Sequence, residues 1–330
     1  MKTRILAIVL ATLMLMTAFI SCKKDEKKED AGPITIYTLN GTTGFGMAKL
    51  MNDNKDGAKY EISVKTDAAD VTAALINGDV DIAALPTNAA ANVYNKTEGG
   101  VKILAVNTLG CLYLLAKDGV EISGFADLRG KTVYVPAQNP TFIFTDLCKK
   151  NGLIPGTDIT IDSTSYAQPA NLRDAVASGA VEIAVLPEPM VTVAMAKAKQ
   201  ANVTLKNALD LTAEWDKVNT PGSLVQGCVV VRTEYLEQNP DKVKEFLKDY
   251  KASIEFLNAN TAEAAQMIQD TGIFAQAAVA EKAIPKCNVC YLDGAAMKSA
   301  MEVYLNALMN INANAIGGKL PAAEFYYNAE

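Results

Sequence analysis

The sequence predicts an α/β protein of two lobes, each built on a mostly parallel sheet flanked by helices. A chain of 330 residues is longer than one typical domain core requires. From Ile34 onward, short apolar runs alternate with helical patterns, which is typical of βαβ units. The stretch GDVDIAALP (78–86) is also similar to GAVEIAVLP (179–187), which indicates that one structural unit occurs twice in the chain.

The first unit shows the alternation clearly. ITIYTL is a predicted strand, NGTTGFG a glycine-rich turn and MAKLMNDN a helix. YEISVKT, DAADVTAALING and VDIAALP continue as strand, helix and strand; Gly78 is expected to end the helix and Pro86 the strand. The runs VKILAVNTL and CLYLLAK predict two further strands.

The second unit repeats this order. TVYVPAQ is a predicted strand, NPTFIFTDLCKKNGL a helix and ITIDSTSY a strand, and the helix ANLRDAVASG and the strand VEIAVLP follow. We therefore predict a structural duplication in which each half carries its own sheet.

Two glycine-cysteine stretches bracket the second unit, GCLYLLAKDG (110–119) and GCVVVRTEY (227–235). Paired side by side they would form a two-stranded hinge; the alternative is that they are unrelated strands of one lobe. After residue 235 the pattern is helical, as in NPDKVKEFLKDYKASIEFLNAN, and these helices are expected to pack on the first lobe. The predicted organisation is a discontinuous lobe I (34–118 and 226–330) and a continuous lobe II (119–225).

The N-terminus has the features of an export signal. Lys2 and Arg4 precede a short apolar run that ends at Cys22, and the charged run KKDEKKED follows. The segment FISC resembles a lipobox, which predicts a signal peptide (1–21), a lipid-modified Cys22 and a solvated tether (22–33). A cleaved soluble signal and an uncleaved anchor helix are the alternatives.

Composition excludes several function classes. The net charge of −6 disfavours nucleic acid as a partner. The chain has no histidine, so it contains no Ser-His-Asp or Cys-His arrangement and no imidazole for a zinc site. The lone CxxC of Cys287 and Cys290 favours a local disulfide or two small buried side chains over metal or redox chemistry. No metal, cofactor or catalytic residue is predicted.

Several motifs resemble one known family. NGTTGFGMAKLM, the repeated G-x-V-[DE]-I-A-x-L-P, DLRGKTVYVPAQNPT with KKNGLIPGTDITI, PEPMVT, VQGCVVVRTEYLEQNP and AIGGKLPAAEFYY are similar in order and spacing to the substrate-binding lipoproteins of ABC importers. The similarity is to the nitrate, sulfonate and taurine type, which includes relatives that bind a thiamine pyrimidine precursor.

The resemblance implies the type 2 periplasmic-binding-protein fold, in which two lobes joined by a two-stranded hinge close on one small molecule. It implies a monomer without a cofactor that delivers a sulfonate, a taurine-like compound, nitrate or a thiamine-precursor-like compound to a membrane permease and its ATPase. The protein would be exported and held at the cell membrane by lipid on Cys22, facing the periplasm or the exterior.

The ligand site is expected beyond the carboxyl ends of the strands, where loops and helix N-termini of an open α/β sheet converge. The candidate ligand-binding residues are Thr42, Thr43, Gly44, Phe45, Thr87, Asn88, Asn107, Thr108, Gln138, Asn139, Thr141, Tyr166, Glu188 and Gln226. Alternatives stay open for some: the glycine can serve the turn itself, Thr87 and Asn88 can cap a helix, and Tyr166 can belong to the core. Phe45 is a candidate for stacking on the ligand.

Glu188 is the most informative candidate. It takes the position of Thr87 in the repeat and stands between Pro187 and Pro189, which stiffen the loop. A carboxylate there can accept hydrogen bonds from an amino or amidine group of a ligand. An interlobe salt bridge and a helix cap are the other interpretations.

The remaining charged residues argue against a simple oxyanion site. Arg129, Arg173 and Arg232 are the arginines outside the signal peptide, and none lies on a predicted cleft loop. Asp81 and Glu182 stand at strand beginnings and are interpreted as turn residues. The ligand is therefore more consistent with a nitrogen-containing, aromatic small molecule than with a bare oxyanion.

Two other functions remain possible on the same fold. One is an enzyme resembling a pyrimidine-precursor synthase, which the export signal and the absence of histidine disfavour. The other is a lipoprotein that senses a ligand and presents it to a signalling partner.

Overall fold

A computed structural model describes residues 32–328 of the chain. The predicted signal peptide (1–21), Cys22 and residues 22–31 of the predicted tether lie outside the described residues. Among the residues described, no helix combines the length and the apolar character needed to cross a membrane.

The described strands form two sheets. The first contains six strands in the order β11-β4-β10-β3-β1-β2, and the second contains five in the order β7-β6-β8-β5-β9. Their bounds are β1 Ile34–Leu39, β2 Tyr60–Lys65, β3 Ile82–Pro86, β4 Val101–Leu109, β5 Leu112–Lys117, β6 Thr132–Tyr134, β7 Thr160–Asp162, β8 Ile183–Pro187, β9 Leu205–Asp210, β10 Val225–Arg232 and β11 Val289–Leu292.

Helices connect and cover these strands. They are α1 Thr42–Phe45, α2 Ala48–Asp53, α3 Ala68–Asn77, α4 Thr87–Lys96, α5 Asn139–Lys150, α6 Pro169–Ala177, α7 Met190–Gln200, α8 Leu211–Val218, α9 Thr233–Gln238, α10 Pro240–Ala259, α11 Thr261–Asp270, α12 Ala277–Ala283 and α13 Gly294–Asn312. Short 3₁₀ turns lie at Phe125–Leu128, Ile284–Lys286, Ala313–Ile316 and Ala323–Phe325.

The duplication predicted from the repeat is visible in the strand order. In the first sheet β2, β1 and β3 are parallel neighbours, and β10 runs antiparallel between β3 and β4. In the second sheet β7, β6 and β8 are parallel neighbours, and β5 runs antiparallel between β8 and β9. The repeated sequence forms β3 and β8, which occupy the same place in the two sheets. The predicted α/β fold with two mostly parallel sheets is confirmed.

The two glycine-cysteine stretches do not pair with each other, contrary to the pairing considered from the sequence. GCLYLLAK supplies β5, which pairs with β8 and β9 of the second sheet, whereas GCVVVR lies within β10 of the first. Each half of the chain thus supplies the antiparallel strand of the other half's sheet. The expected bound of lobe I at residue 118 consequently placed β5 with the wrong sheet.

The chain crosses between the sheets twice, and the crossings lie side by side. The first is at Gly110 and Cys111, between β4 and β5, and the second runs through residues 219–224 into β10. Leu109 faces Val225 across the β4–β10 pair, so the two connections are adjacent. The backbone N–H of Cys111 donates to the side-chain Oε1 of Gln226 at 2.8 Å and links them directly.

Glycines end the helices that precede the repeated strands, as expected for Gly78. Gly78 has φ 82° and Gly179 has φ 78°, a left-handed conformation that residues with a Cβ rarely adopt. Both helices therefore stop at the same point of the repeat and release the chain into β3 and β8.

The late helices pack differently from the prediction. Helices α10, α11 and α12 cover one face of the first sheet, as expected, but α13 packs against α4 and also against α5, which flanks the second sheet. The chain after residue 235 is not wholly helical, because β11 adds an edge strand beside β4. One apolar cluster therefore runs from the first sheet through α13 to the second.

The last described segment closes the first sheet. Phe325 is fully buried and its ring centroid lies 4.9 Å from that of Tyr94 on α4. The next residues continue the contact, since the backbone N–H of Tyr327 donates to the carbonyl of Ile103 on β4 at 3.0 Å. This tail is part of the core packing.

Replacing Phe325 with alanine is expected to destabilise the protein by about 3–5 kcal/mol, because the ring leaves a cavity in a buried cluster. Urea denaturation followed by far-UV circular dichroism measures the change. Leu320→Ala is the matched control, since Leu320 is exposed, and it should change the free energy of unfolding by less than about 0.5 kcal/mol. Equal losses for the two variants would contradict the packing described for the tail.

Candidate functional site

A cleft of about 590 Å³ opens where the carboxyl ends of the parallel strands of both sheets meet. From the side of the first sheet it is lined by residues 40–43, by Pro86 and Thr108, and by the start of β10 at Gln226. The second sheet contributes the segment 187–190 and the beginnings of two helices. A loop between α11 and α12, residues 272–275, covers one side.

The structure brings six of the predicted site residues to the cleft. They are Thr42, Thr43, Thr108, Asn139, Glu188 and Gln226. Residues that the sequence did not suggest also line it, namely Asn40, Gly41, Pro86, Cys111, Pro169, Pro187, Pro189, Met190, Gly272, Ile273, Phe274 and Ala275. The lining is accordingly rich in apolar and proline side chains with a few polar groups, as in most small-molecule sites.

Thr42 connects the two sides of the cleft. Its hydroxyl donates to the backbone carbonyl of Glu188 at 2.8 Å, although the two residues are 146 positions apart. The Sγ atom of Cys287 lies 3.7 Å from the same hydroxyl oxygen. This contact ties the turn after β1 in the first sheet to the loop after β8 in the second.

Glu188 is almost fully buried, with 2% of its surface exposed. Its carboxylate accepts hydrogen bonds from the backbone N–H and the hydroxyl of Thr192, at 3.1 and 3.0 Å, so it caps the beginning of α7. Burial raises the pKa of Glu188, while the Thr192 bonds and the charge of Lys286 oppose that rise. The helix cap considered from the sequence is thus present, and the residue lines the cleft as well.

Two amide side chains line the cleft, and the oxygen of each amide accepts a hydrogen bond from another residue of the protein. Gln226 uses Oε1 to accept from the backbone N–H of Cys111 at 2.8 Å. Asn139 uses Oδ1 to accept from the hydroxyl of Tyr304 at 2.5 Å. Because each amide oxygen has a protein partner, the NH₂ groups remain as donors for a ligand.

Tyr304 belongs to a buried aromatic pair behind Asn139. Its ring centroid lies 6.0 Å from that of Trp215 on α8, and the Trp215 indole N–H donates to the hydroxyl of Ser223 at 2.8 Å. Ser223 lies in the second crossing, so this pair connects the cleft wall with the connection between the sheets.

The cysteines near the cleft are neutral thiols. Burial raises the pKa of Cys111 to about 12, and burial likewise raises the pKa of Cys287 well above its ordinary value. All five cysteines of the described chain are free, so Cys287 and Cys290 do not form the local disulfide considered from the sequence. Without a thiolate, neither Cys111 nor Cys287 is an effective nucleophile.

Several predicted residues support the cleft from behind. Phe45 is fully buried and packs edge-on against Phe274 with centroids 6.4 Å apart, so the predicted stacking of Phe45 on a ligand is wrong. Phe274 is the aromatic side chain that lines the cleft instead. Asn107 is buried and donates to the carbonyl of Thr43 and the hydroxyl of Tyr250.

Thr87, Thr141 and Tyr166 also do not line the cleft. The Thr87 hydroxyl donates to the carbonyl of Val225 at 2.7 Å, and its side chain does not cap α4. The Thr141 hydroxyl donates to the carbonyl of Pro136 at 2.7 Å. The Tyr166 ring packs against Tyr134 at 5.8 Å beside the core of the second sheet, which agrees with the core interpretation.

Asn88 and Gln138 lie together in a separate groove. It is bordered by α4, the beginning of α5 and the end of α13, and it also contains Asn92 and Asn314. Both residues follow strands, as predicted from the sequence. Their side chains, however, line this groove and do not line the cleft.

The three arginines outside the signal peptide form ion pairs with carboxylates away from the cleft. Arg129 pairs with Asp158, Arg173 with Asp174, and Arg232 with both Asp81 and Glu234. Asp81 also accepts from the backbone and hydroxyl of Thr35 at the beginning of β1, consistent with a structural role. No arginine or lysine occurs among the described residues that line the cleft.

The loop 272–275 could not be found from helical periodicity. It follows α11 in a region that reads as continuously helical, and only Gly272, with φ 75°, marks the break. An apolar Ile-Phe pair directly after that glycine is the signal that suggests a turn facing an apolar surface.

The sequence of this chain matches a known protein family. The family model described as NMT1/THI5 like matches residues 54–264. The chain belongs to this family. No curated protein sequence matches it.

Solved structures of the same fold match most of the chain, and two of those named here match about nine-tenths of it. An ABC transporter protein from Parabacteroides distasonis is 25% identical, with a TM-score of 0.76 and coverage of 91% of this chain and 100% of that one. The periplasmic aliphatic sulphonate binding protein SsuA from Escherichia coli is 15% identical, with a TM-score of 0.72 and coverage of 91% and 94%. The periplasmic nitrate-binding protein NrtA from Synechocystis PCC 6803 is 15% identical, with a TM-score of 0.54 and coverage of 73% and 66%. The resemblance noted in the sequence is confirmed.

Gly44 is expected to be required for the turn that places Thr42 and Thr43. A Cβ at this position would lie 2.1 Å from the carbonyl oxygen of Leu39, a backbone atom that cannot move aside cheaply. Gly44→Ala should therefore destabilise the protein by about 1–3 kcal/mol or more, seen as a lower Tm. In Gly124→Ala the added Cβ meets nothing within 4 Å, and the Tm should stay close to that of the wild type. An unchanged Tm for Gly44→Ala would mean that the turn has another conformation.

Proposed function

We propose that the protein is an extracytoplasmic solute receptor of an ABC importer, which captures one small molecule in the cleft and delivers it to a membrane permease and its ATPase. The observation that carries the proposal is a cleft lined from both sheets, with the two chain crossings beside it and the Thr42–Glu188 hydrogen bond across it. The proteins of similar fold named as an ABC transporter, a sulphonate-binding protein and a nitrate-binding protein support it.

The receptor works by opening and closing two lobes. From the strand assignments we take lobe I as 33–109 and 225–328 and lobe II as 112–218, joined by the crossings at 110–111 and 219–224. A ligand that contacts both lobes favours the closed state by the difference between its affinities for the two states.

The protein acts without catalysis and as a monomer. The acid and thiols at the cleft are a capped Glu188 and buried neutral cysteines, which gives no matched acid-base pair for turnover. Specificity then depends on contacts in the closed cleft.

The receptor is exported and held at the cell membrane through lipid on Cys22. The charged residues after Cys22 form a tether between the lipid and the folded lobes. A receptor fixed in this way remains near its permease at a raised local concentration.

Thr42→Val is expected to weaken ligand binding and uptake by roughly twofold to tenfold, because it removes one hydrogen bond between the lobes. Uptake is measured in cells that express the permease, the ATPase and either receptor variant. Thr141→Val removes one hydrogen bond within lobe II and should leave uptake close to the wild-type rate. Normal uptake in cells that lack the receptor altogether would overturn the proposed function.

Cys22→Ala is expected to release the receptor from the membrane fraction, because the thiol that would carry the lipid is gone. Fractionation followed by immunoblotting, with mass spectrometry of the mature N-terminus, measures this. The neighbouring variant Lys24→Ala should stay membrane-bound. A Cys22→Ala protein that remains in the membrane fraction would favour an uncleaved anchor helix, and a soluble wild type would favour a cleaved signal.

A further inference from the structure

The charge of the cleft differs from that of an oxyanion site. Among the described residues lining the cleft, Glu188 is the one acidic or basic side chain. The three arginines described above are each bonded to a carboxylate. One of them, Arg173, also contacts the lining residue Met190, with its Nη1 3.6 Å from the Sδ. A bound sulfonate or nitrate would meet no cationic side chain there and one carboxylate.

The Glu188 carboxylate lacks a close positive partner. Its hydrogen-bond donors among the described residues are the neutral backbone and hydroxyl of Thr192. Lys286 acts on it through its charge alone, and the Lys286 side chain is exposed. An ionised carboxylate that is 2% exposed and has no counter-ion is costly, and a ligand cation would remove that cost.

Other lining groups suit an organic cation. The partly exposed ring of Phe274 is held by the buried Phe45 and provides a face for a cation–π contact. Ile273, Met190 and the prolines offer apolar contact for the body of the ligand. The free amide donors of Gln226 and Asn139 can bond to an acceptor elsewhere on it.

We propose that the cleft selects a small organic cation, an amine or amidinium with an apolar body, whose N–H groups donate to the Glu188 carboxylate. This inference rests on the proposed function as a solute receptor, because it specifies the class of the solute. It departs from the sulphonate and nitrate named for the proteins of similar fold.

Binding of such a cation is coupled to the protonation of Glu188. Four titratable groups interact electrostatically with the Glu188 side chain. They are Lys286, Cys111, Cys287 and Tyr113. Burial raises the pKa of both thiols and of the Tyr113 phenol, so these stay neutral. Burial also raises the pKa of the Glu188 carboxyl, and it is the acid in this set whose protonation competes with a bound cation as the pH falls.

The sign of the pH dependence follows. A cation prefers the ionised carboxylate, so its affinity should rise with pH until Glu188 is ionised in the free protein and then level off. Below that point the affinity should fall by about tenfold per pH unit, because one proton must leave for each cation bound. An anionic ligand would show the opposite trend.

The test uses a matched panel of aromatic and aliphatic probes on the lipid-free mature protein. Benzamidinium, benzylammonium and cyclohexylammonium are compared with the neutral benzamide and with benzenesulfonate, benzoate and cyclohexanesulfonate. Thermal shift identifies binders, since a ligand that binds the folded state raises Tm, and isothermal titration calorimetry gives Kd. We expect at least one cation to bind, more tightly than its neutral and anionic counterparts.

Glu188→Gln should weaken the binding of that cation by about tenfold or more, while Glu182→Gln, an exposed acid at the beginning of β8, should leave it unchanged. The pH profile of the wild type tests the same point without a variant, should Glu188→Gln not fold. Binding of anions in preference to cations would overturn the cation assignment and leave the receptor function standing. If no probe of either charge binds, the cation assignment is contradicted, and the uptake experiment described above decides the receptor function separately.

Discussion

The exchange of two antiparallel strands determines the rest of the structure. Strand β5 joins the second sheet once the chain has crossed the first time, and β10 joins the first sheet only after the chain has crossed back. The first crossing is tightly packed, since a Cβ on Gly110 would lie 2.2 Å from the Thr212 hydroxyl. The beginning of β10, directly after the second crossing, is also tight, since a Cβ on Gly227 would lie 2.5 Å from the Asn107 Oδ1. Because both connections are confined to one place, the carboxyl ends of the two sets of parallel strands face each other there. The cleft results from this arrangement.

The duplicated halves present different chemistry to that cleft. After Pro86 the side chain of Thr87 turns to the backbone of β10, where its hydroxyl donates to Val225. At the equivalent position after Pro187, Glu188 is buried at the cleft and its backbone carbonyl accepts from Thr42. The framework of the repeat sets the geometry, and the residue after each proline sets the polarity. A shared fold can for this reason serve relatives with different solutes.

The sequence predicted the fold well and the site in part. Periodicity and the repeat were sufficient for the strands and most helices, because these depend on local patterns. The pairing partners of β5 and β10 were not predictable. Both strands are apolar and follow a Gly-Cys pair, so their sequences do not indicate which sheet each strand joins. Residues directly after strands were correctly sought at the cleft edge, but which side of a helix start a side chain occupies depends on tertiary packing. Asn88, Gln138 and Phe45 illustrate this, and Phe274 was missed because its loop interrupts a helical region.

The position of Trp215 gives the protein a built-in optical reporter. It is the one tryptophan of the chain, so intrinsic emission excited at long wavelength comes from a single known place. That place is bonded to Ser223 in the second crossing and packs on Tyr304, whose hydroxyl holds Asn139 at the cleft wall. A rotation of one sheet relative to the other that breaks either contact would change the surroundings of this indole. The proposed opening of the two lobes is therefore accessible to fluorescence in solution without an attached dye.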